Sequence, residues 1–460
     1  MKKDSIQLCI LLLKNFLRSR GLMTGLLLLF AAGLISLHIG KHFLEKNQEI
    51  IAKTAHYQQE SLARTVKYNP KDMGLLLYYA RFGLVNKMPN LTGLAIGQRD
   101  VNPSLQSVTI RNLEEQKYAG VLMNPMYQLL GNMDFSFVLI YFFPLVIIAL
   151  CFNLVSEEKE EGTWSLVLSQ SGSPLNMLRM KLLIRFASVL LVLLLLLGMG
   201  GFYLDISFDA AFSAFVLMAL LYVSFWFALC WLVASFYKSS SQSSLTLLLV
   251  WLLLTVVVPA SLHALTVSRY PVPEAFSTVL ESREGYHTKW DQPKEPTVAK
   301  FHRRYPQFSS FVHPQGADYS WLWYYAMQQM GDDEAAADAQ ALKEKLKQRA
   351  AFSRTAGMAF PTIHTQLNLN ALSLSDMDNY LLYLEALEDF HEQKRLYFYP
   401  KIFTEAPVAG ENWQAFTLAY FEDKMQIDWL KLVLPLFVMT LLCLGWARLN
   451  FTKKMTHTLA

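Results

Sequence analysis

The chain has 460 residues, of which 53% are hydrophobic and 17% are charged. Soluble domains carry roughly 25% charged residues, so this composition predicts a polytopic membrane protein. The formal net charge is only +4, and no basic stripe is interleaved with aromatic residues, which argues against a nucleic-acid-binding protein.

Residues 1–20 are the first predicted element, a cytoplasmic interfacial helix. Its apolar residues share one helical face, and Lys14 and Arg18 lie off that face. This pattern is typical of a helix lying along the inner leaflet of a membrane. The alternative is a segment that serves only as a positively charged retention signal. The apolar positions are Ile6, Cys9, Ile10, Leu13, Phe16 and Leu17.

Six stretches are long enough to cross the membrane, since about 20 apolar residues span roughly 30 Å of hydrocarbon. They are residues 21–40, 135–154, 182–203, 212–236, 245–265 and 429–446. We interpret the first as a retained span, because Ala31-Ala32-Gly33 is a poor cleavage site inside an apolar run. Pro259 is predicted to kink the fifth span. The expected fold is a mainly α polytopic membrane protein with six transmembrane helices and two extracytoplasmic α/β or α-rich insertions.

Lysine and arginine residues set the expected orientation of these spans. They concentrate in the amino-terminal segment, in the loop 155–181, after the fourth span and in the tail 447–460. An excess of lysine and arginine marks cytoplasmic loops, so both termini are predicted to be cytoplasmic. The segments 41–134 and 266–428 are then extracytoplasmic.

The two extracytoplasmic segments carry different patterns. The first begins with a polar helical stretch at 45–67 and includes a β-branched run, Leu105–Asn112, that predicts a short strand. The second contains two predicted helices, Asp333–Ala351 and Asp376–Tyr397. A cluster of aromatic residues just before the first of these helices is interpreted as core in preference to a membrane-level belt. Its members are Trp321, Trp323, Tyr324 and Tyr325.

No catalytic motif is present in the sequence. The chain has no GxxxxGK[ST] phosphate loop, so it is not expected to be an enzyme with its own ATPase site. The run His391–Arg395 resembles a zinc-protease motif, but Arg395 replaces the second histidine, and we interpret it as a solvated helix face. The four cysteines all lie in or beside apolar segments, which argues against a disulfide framework. Few ionisable residues lie deep in the spans, which favours an energy source outside the chain.

The loop 155–181 is the most informative segment. Its charged run is followed by Gly162-Thr163 and then by apolar residues from Trp164 to Leu168. A charged loop tied this closely to two spans predicts a docking element for a soluble partner. The alternative is that the acidic residues only cap a helix start through the helix macrodipole. The charged run consists of Glu157, Glu158, Lys159, Glu160 and Glu161.

The same loop resembles the coupling element of ABC-2 type (type V) transporter permeases, which follows the second span and docks on the ATPase subunit. The resemblance lies in Glu158–Lys181, EKEEGTWSLVLSQSGSPLNMLRMK. Trp164 replaces the usual leucine, and the arginine expected after the Ser-Pro region is shifted or lost, with Arg179 as a substitute. The matching positions are Glu161, Gly162, Thr163, Leu168, Ser169 and Lys181.

Three further segments resemble a subgroup of these permeases that has two large extracytoplasmic insertions of unknown function. They are the lead-in to the second span at 124–137, the sequence GQRDVNP at 97–103, and residues 357–399. The resemblance therefore covers most of the chain and agrees with the independent count of six spans.

The resemblance implies a permease subunit of an ATP-driven transporter, which we expect to be an exporter in a bacterial inner membrane. Two copies of a cytoplasmic ABC ATPase subunit, which bind ATP and Mg, and a second permease chain, the same or related, are the implied partners besides membrane lipid. This chain itself is expected to hold no cofactor or metal. The alternative is a mechanical transmitter that acts on an envelope partner through its extracytoplasmic segments and carries no substrate.

The implied coupling residues are those of the acidic cluster and of the apolar run behind it. We expect apolar contacts from Trp164, Leu166 and Leu168 to supply most of the affinity for the ATPase, because exposed ion pairs contribute only about 0–1 kcal/mol each. The charges would set the register. The full set is Glu157, Glu158, Glu160, Glu161, Gly162, Thr163, Trp164, Leu168, Ser169 and Lys181.

Overall fold

The computed structural model describes residues 3–117, 132–164 and 174–459. The helices are α1 (Lys3–Arg18), α2 (Arg20–Tyr68), α3 (Met73–Tyr79), α4 (Glu114–Lys117), α5 (Phe143–Cys151), α6 (Ser156–Glu160), α7 (Pro174–Tyr203), α8 (Ala210–Ala234), α9 (Ser240–Leu252), α10 (Val258–Arg269), α11 (Glu274–His287), α12 (Lys294–Arg304), α13 (Trp321–Gly357), α14 (Pro361–Leu372), α15 (Met377–Phe403) and α16 (Trp429–Leu459). The strands are β1 (Phe82–Asn86), β2 (Leu105–Val108) and β3 (Ala419–Phe421).

Within the described ranges, six helical stretches are long and apolar enough to cross a membrane. They are Arg20–Tyr68, Phe135–Glu160, Pro174–Tyr203, Ala210–Ala234, Ser240–Arg269 and Trp429–Lys453. This confirms the prediction of a mainly α polytopic membrane protein. The second and fourth spans are mostly buried in the bundle, whereas the other four expose most of their apolar surface. That exposed surface is suited to contact with lipid or with another membrane chain.

Helix α2 continues far beyond the length that a span requires. Its 49 residues correspond to about 74 Å at a rise of 1.5 Å per residue. The polar helical stretch expected at 45–67 is therefore continuous with the first span. Near its far end, Gln58 accepts a hydrogen bond from the Gly83 amide (2.8 Å) and donates one to the Phe416 carbonyl (2.9 Å). These contacts fix the far end of the helix to strand β1 and to the segment just before β3.

The two insertions form one folded unit, which we call the insert domain. Strand β1 from the first insertion pairs antiparallel with β2, with Phe82 opposite Val108, and parallel with β3 from the second insertion, with Leu84 opposite Ala419. The predicted strand at 105–112 is thus shorter than expected and ends at Val108. Because β3 completes a sheet begun more than 300 residues earlier in the chain, neither insertion has a complete sheet on its own.

Aromatic side chains dominate the core of the insert domain. Trp323 and Tyr325 are fully buried, and they pack among aromatic residues of α12, α15 and β1. Tyr325 also donates a hydrogen bond to the Gly74 carbonyl at 2.9 Å. The interpretation of this cluster as core is confirmed.

Two spans change from α to π winding immediately before a proline. The π-helical turns are Val138–Phe142, which precedes α5, and Leu253–Val257, which joins α9 to α10. Pro144 has no N–H, so the Ile140 carbonyl loses its usual helical partner. The Tyr222 hydroxyl donates to that carbonyl at 3.0 Å instead. The irregularity expected at Pro259 is the second of these π turns.

The prediction that His391–Arg395 is a solvated helix face is wrong, because both terminal side chains are buried in the insert domain. His391 Nε2 donates to the Thr109 carbonyl at 2.9 Å. The Arg395 guanidinium donates to the Ile110 and Arg111 carbonyls and to the Asp332 carboxylate, at 2.7 to 3.1 Å. The two side chains satisfy backbone carbonyls just beyond β2, where the chain has left the sheet.

The burial of His391 predicts a pH-dependent stability. Burial among neighbours that include the Arg395 guanidinium holds the pKa of the imidazole well below 6.5. The folded state therefore keeps the ring neutral, whereas the unfolded chain binds a proton below about pH 6.5, and stability falls as the pH drops through that value. Because one proton is involved, the loss from this group is at most about 1.4 kcal/mol per pH unit below pH 6.5.

Thermal unfolding of detergent-solubilised protein at pH 7.5, 6 and 5 measures this effect. The His391→Gln variant retains an N–H donor for Thr109 but cannot titrate. Its stability is expected to depend less on pH than that of the natural chain, and parallel curves for the two proteins would contradict the assignment.

Candidate coupling site

The candidate site lies at the end of the bundle opposite the insert domain. Here α6 and the turn after it meet the first turns of α7, the end of α8 and the start of α9. Leu166, Leu168 and Ser169 lie outside the described residues, so the site consists of residues up to Trp164 and from Pro174 onward.

Glu157 and Glu158 face the base of the third span. Lys181 forms ion pairs with both carboxylates, with 3.7 Å between its Nζ and Glu157 Oε2. Arg185 Nη2 also lies 3.7 Å from Glu157 Oε2. The Thr163 hydroxyl donates to Glu158 Oε2 at 2.6 Å, which closes the turn over the ion pair. These contacts attach the loop to α7.

Glu160 connects the same loop to the fifth span. Its carboxylate accepts hydrogen bonds from the backbone N–H and the hydroxyl of Ser240, both at 2.8 Å. Ser240 is the first residue of α9, where unpaired N–H groups and the helix dipole favour a carboxylate. The hydroxyls of Ser156 and Ser240 are 2.7 Å apart. Glu160 therefore caps a helix, but that helix is α9 of the fifth span and not a helix of the loop itself.

Trp164 is partly buried against the neighbouring spans. Its ring meets the Tyr237 ring edge to face, with 6.1 Å between centroids. Lys159 Nζ lies 4.6 Å from the centroid of the same tyrosine ring, a cation–π arrangement. Tyr237 in turn contacts Phe451 of the sixth span. Trp164 therefore contributes to an aromatic cluster that joins the loop to the fourth and sixth spans, and only its exposed part is available to a partner.

Glu161 and Gly162 form the exposed tip of the site. The Glu161 side chain makes no hydrogen bond or ion pair with any residue that the structure describes, and it is exposed. Gly162 has a φ of +73° and open space around its Cα. That backbone region favours glycine, so a bulky residue here would strain the turn that presents Glu161.

Several residues of this site were not singled out from the sequence. Ser240 and Tyr237 lie almost 60 residues beyond the end of the loop at residue 181, and Arg185 lies four residues beyond it. A recognisable signal exists for the first, because Ser239-Ser240 before an apolar run is a typical helix start. No local pattern indicates that Tyr237 or Arg185 contacts the loop.

The comparison with known families decides the identity of the chain. The family described as ABC-2 family transporter protein matches residues 13–317, which is more than half of the sequence. The chain belongs to the ABC-2 transporter family. The resemblance noted in the loop is thereby confirmed. This ABC-2 protein is a multi-pass membrane subunit of an ABC transporter, and its family implies an ATPase partner and usually a dimer.

A second family, a domain of unknown function (DUF3526), matches residues 275–418 of this ABC-2 chain. This region covers most of the second insertion, including α11 to α15. No curated protein and no solved structure shows significant similarity to the chain. This second family therefore covers residues 318–418, which the ABC-2 family does not match.

Proposed function

We propose that this chain is the permease subunit of an ATP-driven exporter and that the loop containing Glu161 docks on the cytoplasmic ATPase subunit. The observation that carries the proposal is the attachment of this loop to three neighbouring spans through Lys181, Ser240 and Tyr237. A force applied at the loop reaches the third, fifth and fourth spans without passing through a flexible linker. Such an element is suited to transmit a movement of a partner.

The proposed sidedness rests on the proposal that the loop faces the ATPase. The loop and the chain termini lie at one end of the six-span bundle, and both insertions lie at the other end. With the loop facing the ATPase, both termini are cytoplasmic, and the insert domain lies on the far side of a bacterial inner membrane. ATP and Mg would be held by two ATPase subunits, and a second permease chain would complete the pathway.

The first test is purification of the tagged chain from native membranes in mild detergent, with mass spectrometry of the co-purified proteins. We expect an ATPase with a phosphate loop in near-equal amount. A Glu161→Lys variant is expected to recover about tenfold less of it, because the reversed charge repels a basic docking surface. Glu45→Lys, an exposed charge reversal on the part of α2 beyond the membrane, is the matched control.

Two outcomes would contradict the proposal. If no ATPase co-purifies in several detergents, the chain does not work as the membrane subunit of a stable complex. If Glu161→Lys and Glu45→Lys recover the ATPase equally, the docking surface lies elsewhere.

A second function is favoured by the size of the insert domain and by the folding of its two insertions into one unit. A domain that shares one core between two insertions, and that is held by the rigid α2 helix, suits a mechanical transmitter acting on an envelope partner. The two functions differ in one measurement. ATP-dependent movement of a solute into liposomes by the purified complex supports the exporter, whereas ATP hydrolysis without solute movement supports the transmitter.

A further inference from the structure

Helix α14 belongs to the second insertion but packs into the transmembrane bundle. Leu369 and Leu372 lie in the same apolar core as the spans. The helix contacts the fourth and sixth spans and both π-helical turns. It therefore packs against the second, fourth, fifth and sixth spans.

The hydrogen bonds of α14 to the spans come from polar side chains. His364 Nε2 donates to the Leu432 carbonyl of the sixth span at 2.9 Å. Gln366 Nε2 donates to the Ser136 hydroxyl at the start of the second span at 3.3 Å. Thr362 lies against Tyr222 of the fourth span. A single paired hydrogen bond contributes only about 0.5–1.5 kcal/mol, so these bonds hold α14 in place without fixing it permanently.

The partners of these bonds lie where the spans are locally irregular. Leu432 is three residues before Pro435, which lies inside the sixth span. Ser136 directly precedes the π turn of the second span, whose Ile140 carbonyl is bound by Tyr222. Prolines and π turns are sites where helices bend, and π turns are frequent at functional positions. The spans around α14 are thus built to change shape at the level where α14 binds them.

The ends of α14 are suited to movement as a unit. On the amino-terminal side, a three-residue connection separates it from Gly357 at the end of α13. On the carboxyl-terminal side, Leu374 has a φ of +50°, a left-handed conformation that is strained for a residue with a Cβ. Strained residues of this kind often mark positions where the backbone changes state.

The carboxyl end of α14 is held by the first insertion. The Leu374 carbonyl accepts a hydrogen bond from Arg99 Nε, and the Ser375 carbonyl accepts one from the Gln98 amide, both at 2.8 Å. Gly97 permits this contact, because a Cβ at that position would lie 2.5 Å from the Ser375 hydroxyl. Consequently, α14 cannot leave the bundle without moving relative to the insert domain or carrying part of that domain with it.

We propose that α14 is a movable plug, held closed by the hydrogen bonds of His364 and Gln366, and that opening of the bundle towards the insert domain requires its release. The proposal goes beyond the assignment as an ABC permease, because it names the element that converts span movement into access or displacement on the far side. It holds for either of the two functions above.

Labelling of a buried cysteine in α14 tests the plug. Thr365 is fully buried, and a Thr365→Cys variant in liposomes is expected to react slowly with N-ethylmaleimide. Peptide mass spectrometry reads the labelling at position 365, and the buried native Cys151 in the same sample reports any general unfolding. In this background, Gln366→Met keeps the side-chain size but removes the bond to Ser136, and His364→Phe removes the bond to Leu432.

Each of these two changes is expected to raise the labelling rate at position 365 about 2- to 10-fold without raising that at Cys151, since one hydrogen bond corresponds to a factor of this size. Thr440→Val is the matched control, because Thr440 donates a hydrogen bond of 2.7 Å only within its own span. This first labelling experiment uses the permease alone and does not require the ATPase. Unchanged labelling at position 365 in both variants would overturn the proposal.

The second arm uses the complex with its ATPase, with ATP hydrolysis measured in the same sample. ATP with vanadate is expected to raise labelling at position 365. A complex that hydrolyses ATP but leaves position 365 unlabelled in every nucleotide state would overturn the plug. Absence of ATP hydrolysis would count against the proposed function, and the first arm would still decide on the plug.

Discussion

Replacing Lys181 with methionine is expected to abolish the stimulation of the partner ATPase by the permease. Lys181 and Glu158 are almost enclosed, with side-chain exposures of 11% and 13%. Methionine removes the cation and leaves the Glu158 carboxylate with only the Thr163 hydroxyl as its side-chain partner. Breaking a fully buried pair costs about 3–5 kcal/mol, and we expect on the order of 2–3 kcal/mol here, because some water reaches the site.

A loss of this size lowers the equilibrium constant between the attached and the free loop by roughly 30- to 150-fold. ATP hydrolysis by the complex in liposomes, with and without the permease, measures the effect. Lys46→Met is the matched control, because it removes an exposed positive charge from the part of α2 beside the insert domain, far from the loop.

A double variant sharpens this test. Adding Glu158→Gln to Lys181→Met removes the stranded carboxylate and is expected to restore part of the stimulation, as coupled residues do in a double-mutant cycle. Full stimulation in the Lys181→Met protein would show that the ion pair is not needed to hold the loop.

Replacing Arg395 with methionine is expected to destabilise the insert domain by about 3–5 kcal/mol. The guanidinium is 3% exposed and is bound by the Asp332 carboxylate, and the neighbouring Tyr399, Asp332 and Tyr305 raise its pKa further despite its burial. Methionine fills a similar volume but leaves Asp332 with a buried charge and leaves two backbone carbonyls without this donor. The melting temperature should fall by roughly 10 °C, at about 2–4 °C per kcal/mol for a domain of this size.

Thermal unfolding followed by tryptophan fluorescence measures this change, because the insert domain contains Trp321, Trp323 and Trp413. Arg303→Met, an exposed change on α12, controls for the loss of a positive charge. A further Asp332→Asn change should recover part of the lost stability. A melting temperature within about 2 °C of that of the natural chain would contradict a central role for Arg395.

The spans were predictable from the sequence because a membrane span is defined by length and hydrophobicity alone, without reference to partners. The helices at 333–351 and 376–397 were predictable for a similar reason, since their composition strongly favours helix. The solvent exposure of the second helix could not be predicted from the sequence. His391 and Arg395 look like surface residues until the carbonyls of residues 109–111, nearly 300 positions earlier, are placed beside them.

The candidate site could likewise be predicted only in part. Its location in the loop after the second span was predicted from charge pattern and resemblance, but the direction in which each glutamate points was not. Glu158 pairs with a lysine 23 residues away and Glu160 with a serine 80 residues away. The four glutamates offer no local reason why three should bond to other parts of the chain and Glu161 should not. Packing of the spans makes that choice.

The long helix α2 has a mechanical consequence. It is about 74 Å long, with one end beside α1 and the other end held in the insert domain by Gln58 and Leu62. A tilt of about 5° about its lower end would displace Tyr68 by about 6 Å, roughly the length of one helical turn. Small rearrangements among the spans are thereby enlarged before they reach the far end of the protein.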